Sequence, residues 1–328
     1  MRVESEFPFK ITAVMIVKDA ETTIRTALKS LLSVCGQIIV VDTGSSDKTP
    51  SICMRMGAEL HFFKWCDDFS AARNYGLQFV RGEWILVLDA DEEVDINSIK
   101  GQGHLFSEQR NGGLRIRIVN YLDNNDLSYT SEHYYTRIFR NHPNFKFSGK
   151  IHEQIQEAIL SEGFTVVNSP ITIKHYGYIE TGKNKTDRNK NLLLQEIEKN
   201  PNDIWLKYHL AETEFSAHNF QEAKEIFSMI FDSDKLSVEQ KEMSRLRLAQ
   251  IALYNNDFDE VHNRTNFIST DLNKEGLRKY ILAAGLIYNR KFDSALEYLN
   301  SAEVLNSSLI NKEKLKEAKE VIYSVKLF

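Results

Sequence analysis

The chain opens with short, unbroken apolar runs and closes with long amphipathic ones, and this change of period divides it in two. Residues 11–17 (ITAVMIV) form a continuous apolar run ended by Lys18-Asp19. Over residues 21–34 the apolar positions Ile24, Ala27, Leu28, Leu31 and Leu32 trace the stripe of an amphipathic helix. Residues 37–41 (QIIVV) read as the next strand, ended by Asp42-Thr43-Gly44-Ser45-Ser46-Asp47. Strand, helix, strand predicts a βαβ unit, whose right-handed crossover brings both strand ends to one edge. A short helix over 50–56, with Pro50 near its first turn, a strand over 58–63 and a helix over 69–80 carrying Arg73 and Asn74 follow. The run Trp84-Ile85-Leu86-Val87-Leu88 then stops at Asp89-Ala90-Asp91-Glu92-Glu93. Such a run reads as a strand covered on both faces. Carboxylates cannot follow it unpaired into the core, so Asp89 and Asp91 must emerge where the strand ends. In an open α/β sheet ligands bind at that edge.

Beyond Asp95 the pattern changes. Residues 112–119 and 134–140 alternate like half-exposed strands, with a turn at 123–126 between them, and a further strand pattern ends at His175. Residues 181–200 are polar, then helical, and Pro201 stops the helix. From 201 to 328 the chain is amphipathic helix that repeats itself. Leu210-Ala211 followed by Phe220-Gln221-Glu222-Ala223 recurs as Leu248-Ala249 with Phe258-Asp259-Glu260-Val261, and as Ala283-Ala284 with Phe292-Asp293-Ser294-Ala295. The spacing and the small residues where helices meet resemble tetratricopeptide (TPR) repeats, with Val261 where Ala is usual. Each helix pair buries its apolar face by stacking on the next. The expected division is an α/β domain over 1–180, a connecting helix over 181–200 and an all-α repeat domain over 201–328.

Composition narrows the classes. A chain of 328 residues has room for two domains, since one core seldom grows past about 250–300 residues. The net charge of −5 leaves no footprint for nucleic acid. Three cysteines (Cys35, Cys53, Cys66), without metal-finger spacing, read as thiols in a reducing compartment. No apolar run reaches ~18 residues, so no transmembrane segment is expected, and the first ten residues lack the apolar core of a signal peptide. The expected location is cytoplasmic.

The candidate chemistry gathers at the strand ends. Asp19, Asp42 and Asp89/Asp91 arrive at one edge, and Asp-Ala-Asp in an extended chain would set two carboxylates on the same side. Hard oxygen ligands of this kind suit Mg²⁺ or Mn²⁺ carrying a phosphate; the plain alternative is a solvated acidic turn. Asp42 either accepts from a nucleobase edge or merely bonds its own turn. The ordered combination VMIVKDA, IIVVDTGSSDKT, FSAARNYGLQFV and GEWILVLDADEE resembles family 2 glycosyltransferases of the GT-A fold, over roughly residues 10–180. The resemblance implies a Rossmann-like nucleotide-sugar-binding domain, a divalent cation, and inversion at the anomeric carbon. It places Asp42 on the base, Asp19, Arg73, Asp89 and Ala90 along the nucleotide sugar, and Asp91 with Asp89 on the metal.

Two later motifs, Phe147-Ser148-Gly149-Lys150-Ile151-His152-Glu153 and His175-Tyr176-Gly177-Tyr178, are similar to bacterial lipopolysaccharide-core and sublancin-type peptide glycosyltransferases. By that likeness His175 adds a metal ligand; its alternative is a hydrogen-bonded core histidine. An inverting transfer also needs a base, usually a carboxylate. Glu153 and Glu132 are the candidates, with His152 orienting Glu153 or touching donor phosphate; the alternative for Glu153 is a place at the head of a helix. Arg137 and Arg140 could hold phosphate or be solvated. Trp205, Tyr208 and Tyr254 serve either stacking or contact.

The expectation is a glycosyltransferase moving a sugar from a nucleotide-diphosphate sugar, UDP-linked, to a peptide, protein or surface-glycan acceptor. The repeats would bind acceptor or partner, or self-associate as a homo-oligomer; alternatively they only cap the catalytic domain. A nucleotidyltransferase is disfavoured because VKDAETTIRT is no Gly-rich, Lys/Arg-bearing loop. The rival from another class is a TPR-like scaffold with a catalytically silent nucleotide-binding domain.

Overall fold

A computed structural model describes residues 10–123, 126–177 and 183–326. The N-terminal part runs β1 (Ile11–Val17), α1 (Ile24–Leu31), β2 (Gln37–Asp42), α2 (Thr49–Arg55), β3 (Glu59–Phe62), α3 (Phe69–Leu77) and β4 (Trp84–Val87). It continues with β5 (Glu92–Val94), α4 (Ile96–Ile99), α5 (Gly103–Ser107), β6 (Asn111–Tyr121), β7 (Thr130–Arg140), α6 (Gln156–Ser161) and β8 (Thr165–His175). One eight-stranded sheet has the order β3-β2-β1-β4-β7-β6-β8-β5. β1 pairs in parallel with β2 and β4, and β2 with β3, so the strand order reverses about β1 and β4. That reversal makes the crevice at their carboxyl ends a ligand site by topology. β4 meets β7 antiparallel, which turns the far half into a mixed sheet. β6 and β8 run parallel, and β5 adds antiparallel to β8 with Glu92 opposite His175.

The unbroken apolar runs became the doubly covered centre. Every residue of β2 and β4 is buried, and Trp84 is 1% exposed. One core cluster joins α1 to Met15, Val40 and Leu86; a second, on the other face, joins Val14, Val41, Val87 and Phe139. α3 sits directly on β1 and β2 because Gly76 faces them; a Cβ there would lie 2.8 Å from Val14 Cγ1. This close approach carries Arg73, one turn earlier on the helix, to the strand ends. The α1 helix is shorter than its stripe, since the chain before Ile24 is spent lacing two loops together. Cys35, Cys53 and Cys66 are all free thiols, and burial pushes Cys53 up to about 11.

The helical part consists of α7 (Lys183–Lys199), α8 (Ile204–Ser216), α9 (Phe220–Ile230), α10 (Val238–Tyr254), α11 (Phe258–Thr265), α12 (Leu272–Tyr288) and α13 (Phe292–Leu299). α14 (Ala302–Asn306) and α15 (Lys312–Lys326) follow. Each repeated Phe opens the second helix of a pair. Ala211, Ala223, Ala249, Ala283 and Ala295 are fully buried, and Val261 is 2% exposed in the alanine position, so small residues set the helix spacing. Phe220 packs on Tyr254 at 4.7 Å and Phe258 on Tyr288 at 4.4 Å, the same contact in successive repeats. Tyr208 packs on Phe227. By their contacts, Leu122–Ser131 group with this helical unit and Glu132–Glu180 with the sheet. The turn expected at 123–126 includes two residues outside the described ones, as do the first nine residues and Tyr178.

Candidate functional site

The loops after β1 and β2 are tied into one rim. Asp19 takes a left-handed φ of 47°, a conformation Asp tolerates better than most residues, and its Oδ1 accepts from Ser46 N–H at 2.7 Å. Asp19 N–H donates to Ser45 Oγ, Ala20 N–H to Thr49 Oγ1, and Glu21 N–H to Asp47. Asp42, 1% exposed, uses Oδ1 to accept from Gly44 and Ser45 N–H at 2.9 and 2.8 Å. Its Oδ2 is buried and has no hydrogen-bond partner among the described residues. The turn and the free acceptor therefore coexist in one carboxylate.

Asp89-Ala90-Asp91 does not continue as a strand. β4 ends at Val87 and β5 starts at Glu92, and the chain turns between them, with Glu92 N–H donating to Asp89 C=O. The chain between the two carboxylates is therefore a turn and not the extended segment expected, and the two side chains take different partners. Asp89 goes into a buried chain of alternating charge. Its Oδ1 accepts from Arg73 at 2.9 Å and its Oδ2 from Arg137 at 3.0 Å. Arg73 continues to Glu153, and Arg137 to Glu92 at 2.9 Å. Burial alone would raise the Asp89 pKa, but Arg137 and Arg73 hold it well below the carboxylate range. Burial raises the pKa of Glu92 despite Arg137. Arg137, uncommitted from sequence, thus belongs to the site. Arg140 does not: it lies 4.7 Å over the Trp84 ring and donates to the Asn111 and Glu108 carbonyls.

Asp91 faces His175 instead. Their Oδ1 and Nε2 are 3.6 Å apart. Burial works to lower the His175 pKa, but Asp91 and Glu92 raise it overall. Gly177 leaves the room for this pair, since a Cβ there would stand 2.0 Å from Asp91 Oδ2 and 2.7 Å from His175 Nε2. His175 Nδ1 meets Asn120 Oδ1 at 2.8 Å across β6 and β8, the hydrogen bond that the core-histidine alternative expects on that side of the ring. A carboxylate oxygen and an imidazole nitrogen converging this way fit a small cation. No third His, Cys, Asp or Glu completes a cluster among the described residues. Ligand oxygens and water would fill the other positions, the usual way Mg²⁺ and Mn²⁺ are held beside phosphates. A cleft of about 180 Å³ opens beside the turn, lined by Thr22, Thr23, Thr26, Ala90, Asp91 and Tyr176.

The candidate bases lie apart from one another. Glu153 precedes α6, whose N-cap is Ile155, so it caps no helix; it pairs with Arg73 and is 12% exposed. His152 beside it has a φ of 52°, and burial pushes its ring down to about 4, so it is neutral near pH 7. Glu132 is engaged by Arg117, whose Nε donates at 2.7 Å. Sequence reading missed Asn120, Gly177 and Glu92. A glycine two residues after the candidate ligand His175 was the one signal that could have raised Gly177.

Residues 12–174 match the model of Glycosyl transferase family 2. The chain carries a family 2 glycosyl transferase domain. A TPR repeat-containing protein of Synechococcus elongatus is 33% identical over 178 residues, 52% of this chain and 42% of that protein. The SPbeta prophage-derived glycosyltransferase SunS of Bacillus subtilis is 31% identical over 212 residues, 60% of this chain and 47% of that protein. The matched region is thus less than half the length of either relative. Among solved structures, residues 1–349 of S. aureus TarS in complex with UDP give a TM-score of 0.40 at 15% identity, covering 88% of this chain and 91% of that one. The family 2 domain coincides with the sheet that carries Asp42, the charge chain and the Asp91–His175 pair. No described helix is long and apolar enough to cross a membrane.

Proposed function

We propose that this protein is an inverting, metal-dependent glycosyltransferase that moves a sugar from a nucleotide-diphosphate sugar, UDP-linked, to a nucleophile of a polypeptide or surface-glycan precursor. One observation carries the reading: at the sheet's switch-point edge, a buried acceptor at Asp42 lacks a donor where the family places its nucleobase. An imide or amino N–H of the base would satisfy Asp42 Oδ2. Asp19 holds the neighbouring loop in place, and Asp89 with Ala90 forms the turn along the nucleotide sugar. Arg73 and Arg137 fix Asp89, so that the turn is rigid before donor arrives.

Asp91 and His175 are the residues that would hold the cation, Mn²⁺ or Mg²⁺. The imidazole in the donor set favours Mn²⁺ of the two. A cation held there would supply positive charge against the departing diphosphate. The acceptor heteroatom attacks the anomeric carbon as the bond to the diphosphate breaks, and its proton passes to a carboxylate. Glu153 takes that proton in this scheme, oriented by Arg73 and by neutral His152; Glu132, tied to Arg117, is the second candidate. Glu153→Gln should abolish transfer and spare donor binding, and full transfer by that variant removes the assignment. The TPR-like unit offers the kind of surface that holds polypeptide acceptors or a second copy.

A thermal-shift panel of nucleoside diphosphates and nucleotide sugars, with and without Mn²⁺, tests the whole. Ligands that bind the folded state raise its melting temperature. A shift that needs one nucleotide, Mn²⁺ and Asp91 together is expected. No shift with any member overturns the donor site and leaves the scaffold reading.

A further inference from the structure

We propose that Asn120 and His133 are positioning residues that fix the tautomer of His175, turning its Nε2 lone pair toward Asp91 for a divalent cation. The proposal rests on the reading of Asp91 and His175 as the cation's protein ligands. Asn120 stands directly opposite His175 in the parallel pair of β6 and β8. Its amide oxygen, 2.8 Å from His175 Nδ1, has no proton to give, so Nδ1 must carry one. A neutral imidazole protonated at Nδ1 keeps its lone pair on Nε2. That atom is the one 3.6 Å from Asp91 Oδ1. Two acceptors set this close repel each other until a proton or a metal cation comes between them.

The amide has a second partner that sets its direction. Asn120 Nδ2 lies 3.0 Å from His133 Nδ1 and donates to it. Burial keeps His133 neutral, its pKa pushed down to about 3, so its Nδ1 can accept. Turning the amide over would point an N–H₂ at His175 Nδ1 and a carbonyl at the lone pair of His133. The first change would drive the His175 proton to Nε2, where it blocks a metal. Asn120 is 1% exposed, so solvent offers little to replace either bond. A metal-binding histidine commonly donates its other ring N–H to an acceptor that fixes its orientation, and losing that acceptor costs about 10–100-fold in metal affinity.

The test has two independent readouts. In metal-free wild type, at a pH where the His175 ring is neutral, long-range ¹H–¹⁵N correlation spectra of ¹⁵N-histidine-labelled protein should show its one proton on Nδ1 and Nε2 bare. A neutral His175 that holds its proton on Nε2 instead overturns the proposal with no mutation made. His133→Leu frees the amide to turn and should split that signal between tautomers; an unsplit signal counts against His133. Mn²⁺ affinity, measured by electron paramagnetic resonance of the free ion in excess UDP, should fall about 10–100-fold in Asn120→Leu. Asn120→Asp, whose carboxylate still accepts from Nδ1, should bind Mn²⁺ close to wild type. If Asn120→Leu binds as wild type while Asp91→Ala and His175→Ala do not, the cation site stands and the positioning role falls. If Asp91→Ala and His175→Ala also bind as wild type, the cation reading has failed, and this inference with it.

Discussion

A single methyl group at Gly177 should disable the site without touching a ligand. Gly177 is not among the glycines with positive φ, so alanine fits its backbone. The obstacle is space: the new Cβ would stand 2.0 Å from Asp91 Oδ2 and 2.7 Å from His175 Nε2. Carbon and oxygen settle near 3.5 Å, so the Asp91 carboxylate must retreat by about 1 Å or more. Asp91 sits in a turn and is 21% exposed at its side chain, so it can swing aside at small cost. Alanine also gains about 0.4–1 kcal/mol by restricting the unfolded chain. Stability in urea should therefore stay within about 1 kcal/mol of wild type. A displacement of this size in a catalytic constellation costs on the order of 100-fold, and Mn²⁺-dependent UDP binding, followed by titration calorimetry, should fall accordingly. UDP binding without metal should change little. Wild-type Mn²⁺-dependent affinity in Gly177→Ala would refute the reasoning, because the close approach of Gly177 to Asp91 and His175 would then serve nothing.

Two other substitutions separate the functions of the parts. Asp42→Ala removes both turn bonds and the free acceptor: it should cost about 1 kcal/mol of stability and raise the KM for donor at least about tenfold, while kcat holds. A donor KM equal to wild type would take Asp42 off the nucleobase. Leu299→Ala empties a fully buried position of α13 and should destabilise the helical unit by about 2–5 kcal/mol, read from Trp205 fluorescence in urea. An unchanged unfolding midpoint would mean that the repeat stack does not depend on its buried face.

The parallel half of the fold was legible because burial on both faces leaves no choice of residue. Runs such as 38–41 and 84–88 hold only apolar side chains, and polar residues follow them. The repeat helices were legible for the same reason at another period, with each Phe and small residue recurring at its packing position. Glu92–Val94 was not, because three residues with two acids carry no strand pattern; pairing with β8 alone makes them β5. The site was legible as a list of residues and illegible as a set of pairs. Alternation in an extended chain predicted that Asp89 and Asp91 would cooperate, but a turn at Ala90 decides that geometry. Asn120 lay one residue past the strand pattern read at 112–119, where nothing local marks a polar side chain as a contact.

The separation of Asp89 from Asp91 has a consequence that isosteric amides can test. Asp89 lies between two guanidiniums, with Arg73 and Arg137 side chains 6% and 15% exposed, and it is itself 33% exposed. Asp89→Asn keeps the shape and removes the charge that both arginines share. Breaking a buried pair costs about 3–5 kcal/mol, and the partial exposure of Asp89 screens it, so a loss near 3 kcal/mol is expected. Asp91→Asn weakens the 3.6 Å pairing with His175, at a side chain 21% exposed, and should leave stability within about 1 kcal/mol. The ligand readout should run the other way. Asp91→Asn should lose the Mn²⁺ dependence of UDP binding, whereas Asp89→Asn, assayed well below its melting temperature, should keep a measurable part of it. If Asp89→Asn is as stable as wild type, the arginines do not depend on it and the carboxylate is spare for a metal. If both variants lose Mn²⁺ dependence equally with unchanged stability, the two carboxylates act as one ligand pair, and the division of labour at the turn is wrong.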